Sequence, residues 1–169
     1  VPSFVVWFTG LPASGKKQLA DAVFKKLQGE RLKVERLDSH DIRPLFPTLG
    51  FTPEEVDRHI RRAGHLAAVL EKNGIIVIAS FVSPYRESRD FARSLAKNFV
   101  EVYMRTTPEA CEARDEHGHY REARAGRLAN FPGVNSPYEE PLQPQIIIDV
   151  EHTTSEEAAR QVSRYLKKK

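Results

Sequence analysis

FVVWFTGLPASGKK, residues 4–17, joins an apolar run of strand length to a loop bracketed by Gly10 and Gly15. The apolar residues that follow recur with helical spacing: Leu19, Ala20, Val23 and Leu27. A strand, a G-x-x-x-x-G-K loop and a helix in this order are typical of a phosphate-binding loop. Its backbone N–H groups and the start of its helix face one anion. The stretch therefore predicts that Gly10–Lys16 holds the phosphates of a nucleoside triphosphate.

One position departs from that pattern. The residue after Lys16 is normally Ser or Thr, whose hydroxyl binds magnesium, and here it is Lys17. The loop therefore predicts a nucleoside triphosphate and Mg²⁺, with an altered magnesium site and no certain metal ligand.

Composition limits the classes of function. With 169 residues the chain is predicted to form one domain, and its net charge of +3 is too small to indicate nucleic-acid binding. The single cysteine, Cys111, predicts a reducing, cytoplasmic setting. No apolar run approaches membrane-spanning length, so no membrane partner is expected.

Strand and helix patterns alternate along the chain. Apolar runs predict strands at 4–9, 33–37, 75–79, 99–104 and 146–149, and helical patterns lie at about 53–72, 89–96 and 155–166, with a short helix after Thr107. This alternation predicts an α/β fold, a doubly wound parallel sheet with helices on both faces.

The segment from about 116 to 145 differs from the rest. It is polar and rich in Gly and Pro, and an irregular stretch of this length is either disordered or an active-site lid. Phe131 and Tyr138, set among turn residues, favour a lid within a single domain spanning 1–169.

Motifs spread over nearly the whole chain carry a resemblance to a known family. They include WFTGL at 7–11, LGF at 49–51, SPYR at 83–86, CEARD at 111–115, ARAG at 123–126 and FPG at 131–133. Through them the chain resembles adenylyl-sulfate (APS) kinases, P-loop enzymes that use MgATP to phosphorylate the ribose 3′-hydroxyl of APS, giving PAPS in sulfate assimilation.

The resemblance implies a role for each matching position. For ATP it implies Gly10, Leu11, Pro12, Ala13, Ser14, Gly15, Lys16, Lys17 and Arg114. For APS it implies Asp38, Arg43, Phe51, His59, Ser83 and Phe131, with the two phenylalanines on either side of the adenine. For catalysis it implies Lys16, Asp38, His40 and Ser83.

The chain departs from the family at several of these positions. Besides Lys17, His40 replaces an aspartate, and Val56 and His59 replace an arginine and an asparagine that contact APS. Three hypotheses stay open: a working APS kinase with His40 as general base, a kinase for another nucleotide or small alcohol, and a catalytically impaired nucleotide-binding or regulatory homologue.

Several of these residues also have a purely structural interpretation. Ser83, before Pro84, is better explained as a loop hydrogen-bonding group than as a nucleophile, and Phe51 is equally explained as a core residue. His117 and His119 are interpreted as solvent-facing lid residues. The resemblance also implies a homodimer, and an ATP sulfurylase as a fused or partner protein.

Overall fold

The computed structural model describes residues 2–169. Its five strands are β1 (Val5–Thr9), β2 (Val34–Asp38), β3 (Ile76–Ser80), β4 (Phe99–Arg105) and β5 (Ile146–Asp149). The helices are α1 (Lys16–Gly29), α2 (Ser39–Ile42), α3 (Pro53–Lys72), α4 (Arg86–Leu95), α5 (Pro108–Arg114), α6 (His119–Arg124) and α7 (Ser155–Lys167). A 3-10 turn, Arg43–Leu45, follows α2.

The strands form one parallel sheet in the order β2-β3-β1-β4-β5. β1 is central: Val5 pairs with Val77 of β3 on one side and with Phe99 of β4 on the other. Every residue of β1 is buried, which explains why this strand is a continuous apolar run rather than an alternating one.

Helices cover both faces of the sheet. On one face α1 and α7 pack around Val6, Phe8 and Val102. On the other, α3 and α4 pack around Trp7 and Val77. The predicted doubly wound α/β fold is therefore confirmed. This arrangement carries the carboxyl ends of β1, β2 and β3, and the loops that follow them, to one edge of the sheet, where ligands bind in such folds.

Local signals place the helix that starts at this edge. Thr52 accepts a hydrogen bond from the backbone N–H of Glu55, and the Glu55 side chain accepts one from the Thr52 N–H. Pro53 fills the first helical position, where a missing N–H costs nothing. α3 consequently begins and ends where the sequence predicts, at Pro53 and Lys72.

Two regions differ from the sequence-based expectation. The segment 116–145 is not irregular throughout, because His119–Arg124 forms α6 with Tyr120 and Ala123 buried. α4 begins at Arg86, three residues before the predicted start, which brings the buried Arg89 into its second turn. Within residues 2–169, none of the helices is long and apolar enough to cross a membrane.

Candidate active site

The backbone conformation of the loop between β1 and α1 depends on its two glycines and on Ala13. Ala13 and Gly15 have φ of 60° and 89°, the left-handed region. A Cβ on Gly10 would lie 2.9 Å from both the Met104 Cβ and the Ser14 Oγ, so only glycine fits at this position. The backbone therefore turns tightly against β4, as a phosphate-binding loop must.

Lys16 lies inside this loop. Its Nζ donates to the Leu11 carbonyl at 2.8 Å and to Ser14 Oγ at 3.4 Å. Burial lowers the pKa of Lys16 to about 8, because the charged ammonium has lost most of its water. An incoming phosphate would restore a favourable charge partner. Lys17, by contrast, is exposed on the first turn of α1.

A cavity of about 550 Å³ opens beside the loop, and we call it the P-loop cavity. Ala13–Gly15 and Gln18 line it. Arg114, His117 and residues that follow β5, Thr153 and Thr154 among them, line it too. The structure thus brings the predicted ATP residue Arg114 to the predicted phosphate loop, although 98 residues separate it from Lys16.

A second cavity, of about 370 Å³, lies past the ends of β2 and β3, and we call it the Phe51 cavity. Five of the six predicted APS residues line it: Arg43, Phe51, His59, Ser83 and Phe131. Asp38, the sixth, is not among its lining residues. Val56 contributes an apolar surface where the resemblance implies an arginine.

The two cavities share a wall. Pro12, His119 and Phe131 line both. The Tyr120 hydroxyl donates to the Pro12 carbonyl at 2.7 Å, so α6 is attached directly to the phosphate-binding loop. Groups bound in the two cavities would therefore meet at this loop, with residues of the segment 116–145 beside them.

The two phenylalanines have different surroundings. Phe51 is 60% exposed, with the Arg43 guanidinium carbon 4.5 Å from its ring centroid, so its interpretation as a core residue is wrong. Phe131 is 8% exposed and meets Tyr120 edge to face at 4.8 Å. One ring is thus already packed in place, and the other is open to a ligand.

His59 is buried beneath the Phe51 cavity. Its Nε2 lies 3.0 Å from Ser39 Oγ. Burial, together with the nearby Arg43 and Arg62 guanidinium groups, lowers the pKa of His59 to about 4. The imidazole is therefore neutral at physiological pH and can exchange a hydrogen bond with Ser39 or with a ligand.

The carboxylates of Asp38 and Asp41, at the end of β2 and just after it, accept hydrogen bonds from backbone N–H groups. Asp38 accepts from the Asp41 N–H and Asp41 accepts from the Asp38 N–H, each at 3.1 Å. Burial raises the pKa of Asp41. His40 is exposed beside them. Between residues 2 and 169, no group of three or more His, Cys, Asp or Glu side chains is arranged to hold a metal.

The side chains around the phosphate loop do not fit a magnesium ion held by the protein. Mg²⁺ takes oxygen ligands in octahedral geometry, and Lys17 stands where the loop's hydroxyl ligand belongs. His117 and His119 stack at 5.5 Å, but in the described part of the chain no third ligand joins them.

Ser83 is buried and held from three sides. Its Oγ accepts from Trp7 Nε1 at 3.1 Å and lies 2.9 Å from Thr9 Oγ1 and 3.0 Å from the Phe81 carbonyl. Its φ of 43° is unusual for a residue with a side chain. A hydroxyl so placed favours the loop hydrogen-bonding role over the nucleophilic one.

Comparison with known proteins agrees with this geometry. The sequence model of the family described as adenylylsulphate kinase matches residues 2–149. This chain belongs to the adenylyl-sulfate kinase family. The adenylyl-sulfate kinase of Oceanobacillus iheyensis is 42% identical over 170 residues, covering 99% of this chain and 85% of that protein. That of Thermodesulfovibrio yellowstonii is 44% identical with the same coverage.

Solved structures of APS kinases have the same fold. The Mycobacterium tuberculosis APS kinase, in complex with AMPPNP and APS, aligns with a TM-score of 0.93 at 34% identity, covering 99% of each chain. A shikimate kinase from Aquifex aeolicus, 12% identical with a TM-score of 0.57, shares the fold alone.

Some residues that support the walls of these cavities are not apparent from sequence. The Tyr138 hydroxyl lies 2.8 Å from Thr9 Oγ1, and Arg89 donates to the Ser83 carbonyl at 2.6 Å. The sequence indicates Tyr138 as a lid aromatic and as part of a family motif, without a contact to β1. It places Arg89 at the start of a predicted helix, and no local pattern identifies its role.

Proposed function

We propose that this protein transfers the γ-phosphoryl group of ATP to the 3′-hydroxyl of adenylyl sulfate, giving PAPS and ADP. The observation that carries the proposal is the shared wall of the P-loop cavity and the Phe51 cavity. Phosphoryl transfer requires donor and acceptor oxygens in line, cations around the moving charge and exclusion of water. Two cavities that share a wall at one phosphate loop would hold donor and acceptor side by side, as the first requirement needs.

The P-loop cavity would take ATP. Gly10–Lys16 supplies backbone N–H groups and the positive end of α1, and Lys16 supplies the ammonium. Arg114, which lines the same cavity, would add a second cation near the nucleotide. Magnesium would come held by the phosphates of ATP and by water, since Lys17 provides no ligand.

The Phe51 cavity would take adenylyl sulfate. Stacking on Phe51 and Phe131 stabilises an adenine by about 1–3 kcal/mol for each ring. Arg43 lies beside the exposed ring, where it can contact the sulfate or phosphate oxygens. Asp38 and His40, at the end of β2 but outside the lining of the Phe51 cavity, are the candidates that the resemblance implies for accepting the hydroxyl proton.

The segment 116–145 would act as the lid of a single domain. α6 and Phe131 already contact the phosphate loop, through Tyr120 and Leu11. Closing this segment over both nucleotides would exclude water from the transfer. A homodimer in the cytoplasm, working with an ATP sulfurylase, agrees with the family resemblance and is testable by light scattering and co-purification.

The direct test mixes purified protein, MgATP and adenylyl sulfate, and measures PAPS and ADP. We expect equimolar formation of both products, and loss of at least about 100-fold in rate for Lys16→Met, which removes the phosphate-facing cation. Nucleotide binding without turnover would contradict the proposal and support the impaired homologue.

A second candidate is a kinase for a different acceptor. The apolar Val56 and the neutral His59 in the Phe51 cavity favour it, because both replace polar contacts to APS. ATP consumption with another nucleotide or small alcohol, and none with adenylyl sulfate, would establish this alternative.

A further inference from the structure

One wall of the Phe51 cavity depends on a buried arginine that lies outside the phosphate loop. Arg89 of α4 is only 1% exposed, although its guanidinium is always charged. A buried charge persists only when it is paired and hydrogen-bonded. Glu101 of β4 supplies the pairing, with its Oε2 3.4 Å from the Arg89 Nε, and Arg93 donates to the same carboxylate at 3.1 Å.

The remaining donors of Arg89 point away from Glu101. One terminal nitrogen donates to the Ser83 carbonyl at 2.6 Å, and the other donates to the Glu139 carbonyl. The planar guanidinium group thus joins the backbone at Ser83 to the backbone at Glu139, 56 residues apart in sequence. A lysine ammonium could satisfy one of these carbonyls but could not hold both in this fixed geometry.

Both segments border the proposed site. Ser83 lines the Phe51 cavity and keeps its left-handed φ of 43° only while its surroundings impose it. Glu139 follows Tyr138, whose hydroxyl bonds to Thr9 at the end of β1. Glu139 is fixed further, because its N–H donates to the Pro84 carbonyl at 2.7 Å and its Oε1 accepts from the Arg86 N–H at 2.8 Å.

We propose that Arg89 is a positioning residue for the acceptor: its fork clamps the Ser83 loop to the end of the segment 116–145 and so sets the shape of the Phe51 cavity. Arg89 does not line the P-loop cavity and contacts none of the loop Gly10–Lys16, while the segments it clamps approach that loop through Thr9, so its main effect should fall on the Phe51 cavity. The inference rests on the proposed function in one respect, that the Phe51 cavity binds adenylyl sulfate.

The test compares Arg89→Lys with Arg93→Lys. Both variants keep the charge beside Glu101, but Arg93 contacts neither Ser83 nor Glu139. We expect R89K to raise the KM for adenylyl sulfate by roughly tenfold or more, with the KM for ATP within about twofold of the original. R93K should leave both unchanged. Equal changes in the two KM values for R89K, or no change in either, would overturn the proposal.

Amide hydrogen exchange gives a readout that does not depend on the acceptor's identity. R89K should speed exchange at residues 83–85 and 138–140 and leave residues 10–16 protected as before. If adenylyl sulfate does not bind the unaltered protein, the proposed function fails, while this exchange pattern still decides the role of Arg89. Should R89K not fold, Glu139→Ala removes the acceptor of the Arg86 N–H, which fixes the same segment, and should give the same selective pattern; unchanged exchange in E139A would count against the clamp.

Discussion

The Arg43 guanidinium lies over the Phe51 ring, its central carbon 4.5 Å from the ring centroid. A cation that covers an exposed aromatic ring holds it upright at the rim of the Phe51 cavity. An adenine that stacks on the free face of Phe51 would find the ring already oriented, and would leave Arg43 close to its phosphate or sulfate.

Phe51→Ala should therefore weaken acceptor binding without weakening the fold. We expect the loss of stacking to cost about 1–3 kcal/mol of binding free energy, seen as a rise in the KM for adenylyl sulfate. The free energy of unfolding should stay within about 0.5 kcal/mol of the original value, because the ring is exposed. Phe46→Ala is the matched control, since Phe46 lies under Arg62 but does not line the Phe51 cavity. Equal effects of the two variants on KM would contradict the assignment of Phe51.

His59 should make stability depend on pH in mildly acidic solution. Its pKa is about 4 in the folded protein and about 6.5 in an unfolded chain. Above pH 6.5 the His59 imidazole is neutral in both the folded and the unfolded state, and its charge costs the folded protein no stability. As the pH falls toward 4 the unfolded chain binds a proton that the folded protein excludes, so the free energy of unfolding drops by on the order of 3 kcal/mol.

Denaturant unfolding between pH 4 and pH 8 measures this effect. The carboxylates contribute a background slope, so the quantity to compare is the difference between the original protein and His59→Asn. That difference should shrink as the pH falls from 6.5 to 4. Parallel stability curves for the two proteins would show that His59 is not held neutral by the fold.

Lys17→Thr should give the phosphate loop a magnesium dependence that it lacks. In the unaltered protein we expect ATP affinity to change by less than about threefold between magnesium and EDTA, because Lys17 supplies no ligand. In K17T a hydroxyl returns at that position, and magnesium should tighten binding by about tenfold or more. Calorimetric titration of ATP into each protein checks this.

Lys17→Met is the control for charge. It removes the ammonium without adding a ligand, so ATP should bind more weakly and remain insensitive to magnesium. A magnesium dependence equal to that of K17T would mean that charge, not the hydroxyl, decides metal use.

Gly133→Ala should weaken the contact between the segment 116–145 and the phosphate loop. Gly133 has φ of 91°, and a Cβ there would lie 2.8 Å from Leu11 Cδ2. Gly126→Ala serves as the control, because Gly126 has φ of 76° with nothing within 4 Å. Each variant should lose about 1–2 kcal/mol of stability from the left-handed backbone. Only G133A should also lower ATP affinity, measured by titration, because it displaces Leu11; equal affinities in the two variants would argue against that contact.

Sequence alone predicts the parts of this site whose signals are local. The glycines of the loop, the apolar strands and the Thr52 cap each act over a few residues, and all three lie where expected. α6 was missed because it is short and polar, with only Tyr120 and Ala123 turned inward.

Contacts between distant parts of the chain explain the rest. The burial of Phe131 depends on Tyr120 and Leu11, and the environment of Arg89 depends on Glu101 and Glu139. No spacing rule links such residues. The hydrogen bonds between Ser83 Oγ and Trp7 and Thr9 likewise form only when the fold brings β1 beside the loop after β3.

The central position of β1 has a consequence for biosynthesis. Val5 needs Val77 and Phe99 as its strand partners, so β1 leaves the ribosome before its neighbours and stays unpaired until at least 72 further residues have been made. At roughly 5–20 residues per second, that delay lasts roughly 4–14 seconds. Throughout it, an apolar strand and the loop that follows stay without their sheet. Nascent chains of this protein should therefore be substrates for chaperones that shield unpaired strands during translation.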